Sequence, residues 1–365
     1  MSQTRSQPKY VQIAESLARA IQTGRLNPGD RLASDDELAE EFNASRNTVV
    51  RALGQLRDNG LIERIQGAGT YVAELSKKTG QRYLFIGDGH FHIDARDTVF
   101  GRLEASIDML LRSQYDGLLE LDRPLDEMAA EHKAKAVDLA IENKYDGCFF
   151  MPIEARADSM ALNQEMLSKL TEAGIHVVLI DQDFVPHPDR SRYDLVSLDH
   201  VHAGLTVGRH LAAKSAKKML MLVPKVTPFS VARRCDGLRT AIGDDAQLEV
   251  VPIEGYNEQS IYKAIEANKP DAIIGKDDRM AATAMRVLYQ QQRRVPDEVM
   301  ICGFDDATIA SSLPVPLTSY RQPVSEIAQM AINLMIDRLS NPQRPTRQII
   351  VSGELVERES TDRKA

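Results

Sequence analysis

Apolar positions recur three and four residues apart through the first part of the chain, then give way to short apolar runs alternating with helical stretches. Tyr10, Ile13, Leu17 and Ile21 make one amphipathic helix, ended by Gly24. A connector follows whose Pro28-Gly29-Asp30 is a turn signal. Ser34 is placed to cap a second helix, with Glu37 at capping-box spacing and Leu38, Ala39 and Phe42 facing inward. Ser45 caps a third, in which Val49, Ala52, Leu53 and Leu56 form one apolar face. Asn47 and Arg51 fall opposite that face, Arg46 projects from the first turn, and Gly60 ends the helix. Leu61-Ile62 and Thr70-Tyr71-Val72 flank Gly67-Ala68-Gly69 as a hairpin. Three helices and a glycine-tipped hairpin predict a winged helix-turn-helix, whose third helix suits a major groove.

Glu74 to Gln81 is polar and without period, and reads as a linker. From Tyr83 the runs YLFIG, GLLEL, GCFFMPI, HVVLID and LVSLD alternate with helical stretches such as Leu103–Leu111 and Ala134–Ile141. A second series, MLMLV, LEVVPI, AIIG and VMICGF, alternates with Val231–Ile242, Ser260–Ala267 and Met280–Gln290. Two series of βαβ units predict two doubly wound α/β lobes, with ligands held where strand ends meet across the cleft.

Length, charge and cysteine narrow the class. A chain of 365 residues holds two or three domains. Its net charge of −8 argues against polyanion binding by the whole surface, though not against a localised reading patch. Through residue 75 nine basic residues face ten acidic ones, so DNA affinity rests on a few phosphate contacts and on pairing of two heads. The three cysteines, Cys148, Cys235 and Cys302, are far apart and form no CxxC spacing, which suggests reduced core residues. The amino-terminal stretch has no apolar h-region and no later run is long enough for a membrane span, so a cytoplasmic protein without membrane association is expected.

The run from Gly24 to Val72, GRLNPGDRLASDDELAEEFNASRNTVVRALGQLRDNGLIERIQGAGTYV, resembles the DNA-binding domain of the gluconate-repressor (GntR) family, a likeness covering residues 8–73. The resemblance implies paired heads on a palindromic double-stranded DNA operator. It carries DNA contacts onto Arg46, Asn47, Thr48 and Arg51 of the helix and onto Arg64, Gln66, Gly67, Gly69 and Thr70 of the wing. Ala33, Asp36 and Val50 stand where the family usually has proline, arginine and arginine. A valine touches a thymine methyl or packs, where arginine grips guanine, so a retuned operator is expected.

KPDAIIGKDDRMAATAM, RRVPDEVMICGFDD and LPVPLTSYRQPVSEIAQMAINLMIDRL, ending with LVERES, are similar to the effector-binding core of the lactose-repressor (LacI) family, related to periplasmic sugar-binding proteins. The whole layout resembles the arabinose-repressor subgroup. It implies residues 1–73 as reading head, 74–81 as linker and 82–360 as effector-binding and dimerisation domain. The first lobe takes about 82–197 and 320–341, the second 198–319 and 342–360. Crossings between lobes are expected near Asp199, Pro316–Tyr320 and Ile349–Leu355, with the helix Ser325–Leu339 back in the first lobe.

A sugar needs carboxylates, amides and arginine for its hydroxyls and an aromatic face for its C–H surface. The resemblance puts these roles on Asp181, Arg234, Asp278 and Tyr256, with His90 near the first strand end. Against each stands a bland alternative: a cap or turn brace for Asp181 and Asp278, a surface aromatic for Tyr256. His90 and His92 form H-x-H, but no third ligand appears in the sequence, so no metal and no cofactor are expected.

The functional expectation is a regulator, most simply a homodimeric repressor of carbohydrate-utilisation genes released by a small sugar, a pentose or a relative. The alternative, a sugar-binding carrier, fits the sensor but not the attached reading head. Catalysis is not expected, since no phosphate loop, GxSxG elbow or strand-following GxGxxG occurs.

Overall fold

The structure, a computed structural model, describes residues 9–22, 26, 29–58, 62–65, 69–72, 81–87, 98–115, 118–121, 129–154, 158–186, 188–243 and 246–363. The chain divides into two compact units, residues 1–79 and 80–365.

The amino-terminal unit holds helices α1 (Lys9–Gln22), α2 (Asp35–Glu41) and α3 (Arg46–Asp58), then strands β1 (Ile62–Ile65) and β2 (Gly69–Val72). The capping box at α2 is complete: Ser34 Oγ accepts from the Glu37 amide, and the Ser34 amide donates back to the Glu37 carboxylate. β1 and β2 pair antiparallel, with Arg31 bridging to Tyr71 as a short third edge. Ile13, Leu17, Leu38, Val49, Leu53, Leu56, Ile62 and Val72 are buried together, so the apolar periods of all three helices converge on one core. Gly24, Pro28, Gly60, Leu61 and the linker residues 74–80 lie outside the described residues.

The second unit contains two six-stranded sheets. In the first, β3 (Arg82–Ile86), β4 (Leu118–Leu121), β5 (Gly147–Phe150), β6 (His176–Ile180), β7 (Asp194–Leu198) and β13 (Gln348–Val351) run in the order β4-β3-β5-β6-β7-β13, all parallel. Helices α4 (Val99–Leu110), α5 (Ala129–Glu142), α6 (Ser159–Glu172) and α12 (Val324–Ser340) belong to this lobe. In the second, β8 (Lys218–Pro224), β9 (Gln247–Ile253), β10 (Ala272–Gly275), β11 (Met300–Asp305), β12 (Thr318–Arg321) and β14 (Glu354–Val356) give the order β9-β8-β10-β11-β12-β14. Only β14 is antiparallel there. Its helices are α7 (His200–Ala213), α8 (Phe229–Ile242), α9 (Glu258–Asn268), α10 (Asp278–Gln290) and α11 (Thr308–Ser312).

The winged head and the two-lobed, doubly wound sensor are thus both present. The expected lobe limits need correction. β12 pairs with β11 through Arg321, so the return to the first lobe comes at Gln322-Pro323 and not at residue 320. Residues 342–351 stay in the first lobe, because Gln348–Val351 pair with Leu195–Leu198. The crossing expected within Ile349–Leu355 falls at Ser352-Gly353, between strands on different sheets. Gly353 makes that crossing possible: a Cβ there would sit 2.0 Å from the Arg321 carbonyl oxygen.

Candidate DNA-reading surface and effector cleft

Ser45 fixes the start of α3, its Oγ accepting from the Thr48 amide at 3.2 Å and lying 2.8 Å from Thr48 Oγ1. The helix then turns Val49, Ala52, Leu53 and Leu56 inward and leaves Arg46, Asn47, Val50 and Arg51 exposed. The arginines of this surface are held from within the head. Arg46 Nε lies 3.5 Å from Asp36 Oδ1. Arg51 stacks over Tyr10, its guanidinium carbon 3.9 Å from the ring centroid. Arg64, on β1, donates to the buried Asp35 at 3.0 Å.

Thr70 turns its side chain inward with that of Val72 by strand alternation and is 8 % exposed. Gly69 opens β2 beside the guanidinium of Arg31, which sequence reasoning passed over. Gln66 and Gly67 lie outside the described residues.

In the sensor, strand ends deliver the polar groups. Asp181 follows β6 with a φ of +74° and its carboxylate takes a hydrogen bond from His200 Nε2 at 3.0 Å. Burial works to raise that carboxyl, but the charge and hydrogen bond of His200, with the charge of Arg234, outweigh it and hold it below the usual carboxylate range. Arg234 reaches the centre because α7 and α8 touch backbone to backbone. A Cβ on Gly204 would fall 1.9 Å from the Arg234 carbonyl oxygen, and one on Gly237 2.0 Å from that of Val201. Buried against Phe304, Arg234 donates Nη1 to the Lys276 carbonyl at 2.8 Å, while its Nε finds no partner among the described residues.

Asp181 and Gln322 are the polar residues lining a small open recess, whose other walls are apolar, among them Phe100, Met151 and Ile327. Gln322 Nε2 donates to Asp305 Oδ1 at 2.7 Å. Burial pushes the Asp305 carboxyl up, with the charge of Arg234 opposing. Two contacts close the lobes around this region. Arg102 of α4 donates to the carbonyls of Asp305 at 2.6 Å and Asp306 at 3.3 Å, and Glu154 accepts from the amide and hydroxyl of Ser230.

Asp278 and Tyr256 are both held within the second lobe. Asp278 is fully buried; it accepts from the Ala307 amide at 2.7 Å and the Ser319 hydroxyl at 2.5 Å, cross-bracing α10 to β12 and to the turn after β11. Its carboxyl is pushed well above the ordinary range by burial and the neighbouring Asp305 charge, against those two hydrogen bonds. Tyr256 donates to Asp277 at 2.8 Å and carries the Arg279 guanidinium over its ring, outside the residues that line the recess. Asp277 caps α10 through the Met280 amide and pairs with Lys276. Sequence reasoning missed Phe100, Arg102, His200 and Gln322; His200 and Gln322 carried a signal, their places beside expected crossings between lobes.

His90 and His92 lie outside the described residues. Among the described residues no three His, Cys, Asp or Glu side chains gather to hold a metal ion. None of the described helices is long and apolar enough to cross a membrane.

A winged reading head joined to a two-lobed sensor defines a DNA-binding transcription regulator. The model of bacterial regulatory proteins of the gntR family matches residues 9–72, and that of the periplasmic binding protein-like domain matches residues 209–361. The arabinose metabolism transcriptional repressor of Geobacillus stearothermophilus is 26 % identical over 97 % of this chain and 98 % of its own length. A probable opine utilization operon repressor of Rhizobium rhizogenes is 31 % identical over 36 % of this chain and 71 % of its own. A ribose-bound LacI family regulator from Enterococcus faecium superposes with a TM-score of 0.60 at 20 % identity, covering 77 % of this chain and 98 % of that one. The chain belongs to the gntR family of bacterial regulatory proteins and carries a periplasmic-binding-protein-like sensor. Its relatives are transcriptional repressors, not enzymes.

Proposed function

We propose that this chain is a cytoplasmic repressor of carbohydrate-utilisation genes whose operator binding is controlled by a small neutral sugar, a pentose or a near relative, in the cleft. Two copies pair on a palindromic operator, with Arg46 and Asn47 as the principal helix contacts and the wing on the adjoining backbone. The observation that carries the reading is the Asp181–His200 hydrogen bond: the carboxylate stands on the first lobe and lines the recess, and the imidazole that holds it opens α7 of the second. A sugar hydroxyl donating to Asp181 therefore acts on a contact that spans the lobes. Phe100 supplies an aromatic wall and Gln322 an amide. Support for a sugar also comes from the names of the relatives, one acting in arabinose metabolism and one structural neighbour holding ribose.

The test is a thermal-shift screen of the full chain against pentoses, hexoses and sugar acids, followed by gel shifts on DNA near its own gene. A ligand at a hundred times its Kd raises stability by about 2.7 kcal/mol, a shift of several degrees. The same sugar should release a sequence-specific complex. A flat screen together with no ligand-sensitive complex would overturn the proposal. A sugar that tightens the complex would reverse the direction of control.

A further inference from the structure

α2 opens on two consecutive aspartates, and each faces one arginine of the reading surface. Asp35 is buried and holds Arg64 of the wing strand. Asp36 is exposed, and its Oδ1 lies 3.5 Å from Arg46 Nε at the start of α3. The capping box fixes the turn that carries both, so Asp36 is placed by a helix and not by a mobile loop. The pair does little for the fold, since the two side chains are 64 % and 71 % exposed and such ion pairs contribute little to stability. A carboxylate on a face that meets phosphates also repels them. Its use must therefore appear in what Arg46 does when bound.

We propose that Asp36 is a positioning and specificity-determining residue of the reading head. It engages Arg46 at the Nε edge and so presents the terminal Nη pair to a base edge instead of the phosphate backbone. This rests on the reading of α3 as the DNA-contacting helix. A guanidinium carries five donors in a rigid fork, so a carboxylate at Nε leaves a bidentate edge that fits guanine O6 and N7. Asp36 Oδ2 is the natural acceptor for the amino group of a neighbouring cytosine. Val50, one turn further along the same face and 41 % exposed, has nothing to donate. Arg51 is stacked on Tyr10. Hydrogen-bond readout by arginine in the first two turns of α3 then falls to Arg46, and its partly neutralised charge has less to gain from non-specific phosphate contact.

The experiment uses the full chain and an operator chosen from a random duplex pool by the unmodified protein. Binding to that operator, to its single-base variants and to an unrelated duplex is measured by fluorescence anisotropy across salt. The variants are Asp36→Ala, Asp36→Asn, Arg46→Ala and the Asp36→Ala/Arg46→Ala double. Asp36→Ala should tighten binding to the unrelated duplex several-fold and steepen its salt slope by about one. It should also lower the operator preference about tenfold, with one guanine position losing its preference. Arg46→Ala should lose the same position, and Asp36→Ala should add nothing on top of it. Thermal unfolding of Asp36→Ala should match the unmodified chain. Equal tightening on every duplex would make Asp36 mere repulsion and overturn the proposal, as would an Asp36→Ala effect that persists without Arg46. Arg46→Ala that leaves every base preference intact overturns it too. Absence of any sequence-specific complex with the unmodified chain would instead bring down the reading of α3, a distinct result.

Discussion

Replacing Asp278 separates a bracing carboxylate from a ligand contact. Asp278→Ala strands two buried donors, the Ala307 amide and the Ser319 hydroxyl. A buried donor left without its acceptor costs about 1–3 kcal/mol. The hydroxyl rotates to seek another acceptor and the amide does not, so a loss of about 3 kcal/mol is expected, or a fall of roughly 6–10 °C in Tm. Asp278→Asn behaves differently: its amide oxygen accepts from Ala307 and its NH2 donates to Ser319 Oγ, so the brace survives. The carboxyl's raised folded pKa adds a pH signature. Below the ordinary aspartate pKa, about 3.9, both folded and unfolded states hold the proton. Between that value and the raised one only the folded state holds it, so stability falls as pH rises through this window and levels off above it. Asp278→Asn removes this term, and its stability relative to the unmodified chain should climb with pH across the same window. Urea unfolding of the three proteins at several pH values measures both effects. If Asp278→Ala unfolds like the unmodified chain yet loses all response to an effector sugar, the carboxylate is a ligand contact and the bracing argument is refuted.

Arg338 makes a bidentate pair with Asp194, which has no exposed side-chain surface and also accepts from the Arg347 amide. Arg338→Met should cost about 3–5 kcal/mol in chemical denaturation because it leaves a buried charge, and the paired Arg338→Met/Asp194→Leu change should recover much of it. Gly237→Ala drives a Cβ to within 2.0 Å of the Val201 carbonyl oxygen and must part α7 from α8. A loss of at least about 1–3 kcal/mol in the same assay is expected, and an unchanged midpoint would refute the contact. Arg51→Ala removes the stack on Tyr10 and should lower stability by about 0.5–1 kcal/mol, read as a small drop in the head's unfolding midpoint.

The folds were legible because their signals are periodic. Helical spacing in Tyr10–Ile21 and Val49–Leu56, the Ser34–Glu37 cap and the alternating βα runs each state a local geometry that packing kept. Lobe limits were less legible, because they depend on strand pairing across more than a hundred residues. The crossing expected within Ile349–Leu355 falls at Ser352-Gly353, but which sheet each half joins is set by pairing with Leu195–Leu198 and with Ser319–Arg321, far off in the chain. Site residues divided on the same principle. Asp181 follows a strand end, where topology dictates a cleft, and Arg234 stands in the second turn of α8. Asp278 sits at such an end too, but its orientation is settled by Ser319 and Ala307, neither of which announces itself in sequence. Asp35 and Asp36 look alike as letters, yet one turns into the head and the other out.

The cleft and the crossings are one structure, and that bears on how a ligand can act. At the first crossing Asp199 caps α7, and the next residue, His200, holds Asp181 of the other lobe. Just before the second, Arg321 bonds both Asp306 and Glu354. Immediately after it, Gln322 bonds Asp305, whose carbonyl, with that of Asp306, receives Arg102 from the first lobe. A polar ligand at Asp181 and Gln322 thus competes for, or reinforces, bonds that already tie the lobes near their crossings. Tight binding alone would move nothing; only a difference in affinity between closure states shifts the population. On the proposed reading Asp181 and Gln322 would supply that difference, because their protein partners, His200 and Asp305, stand on the second lobe.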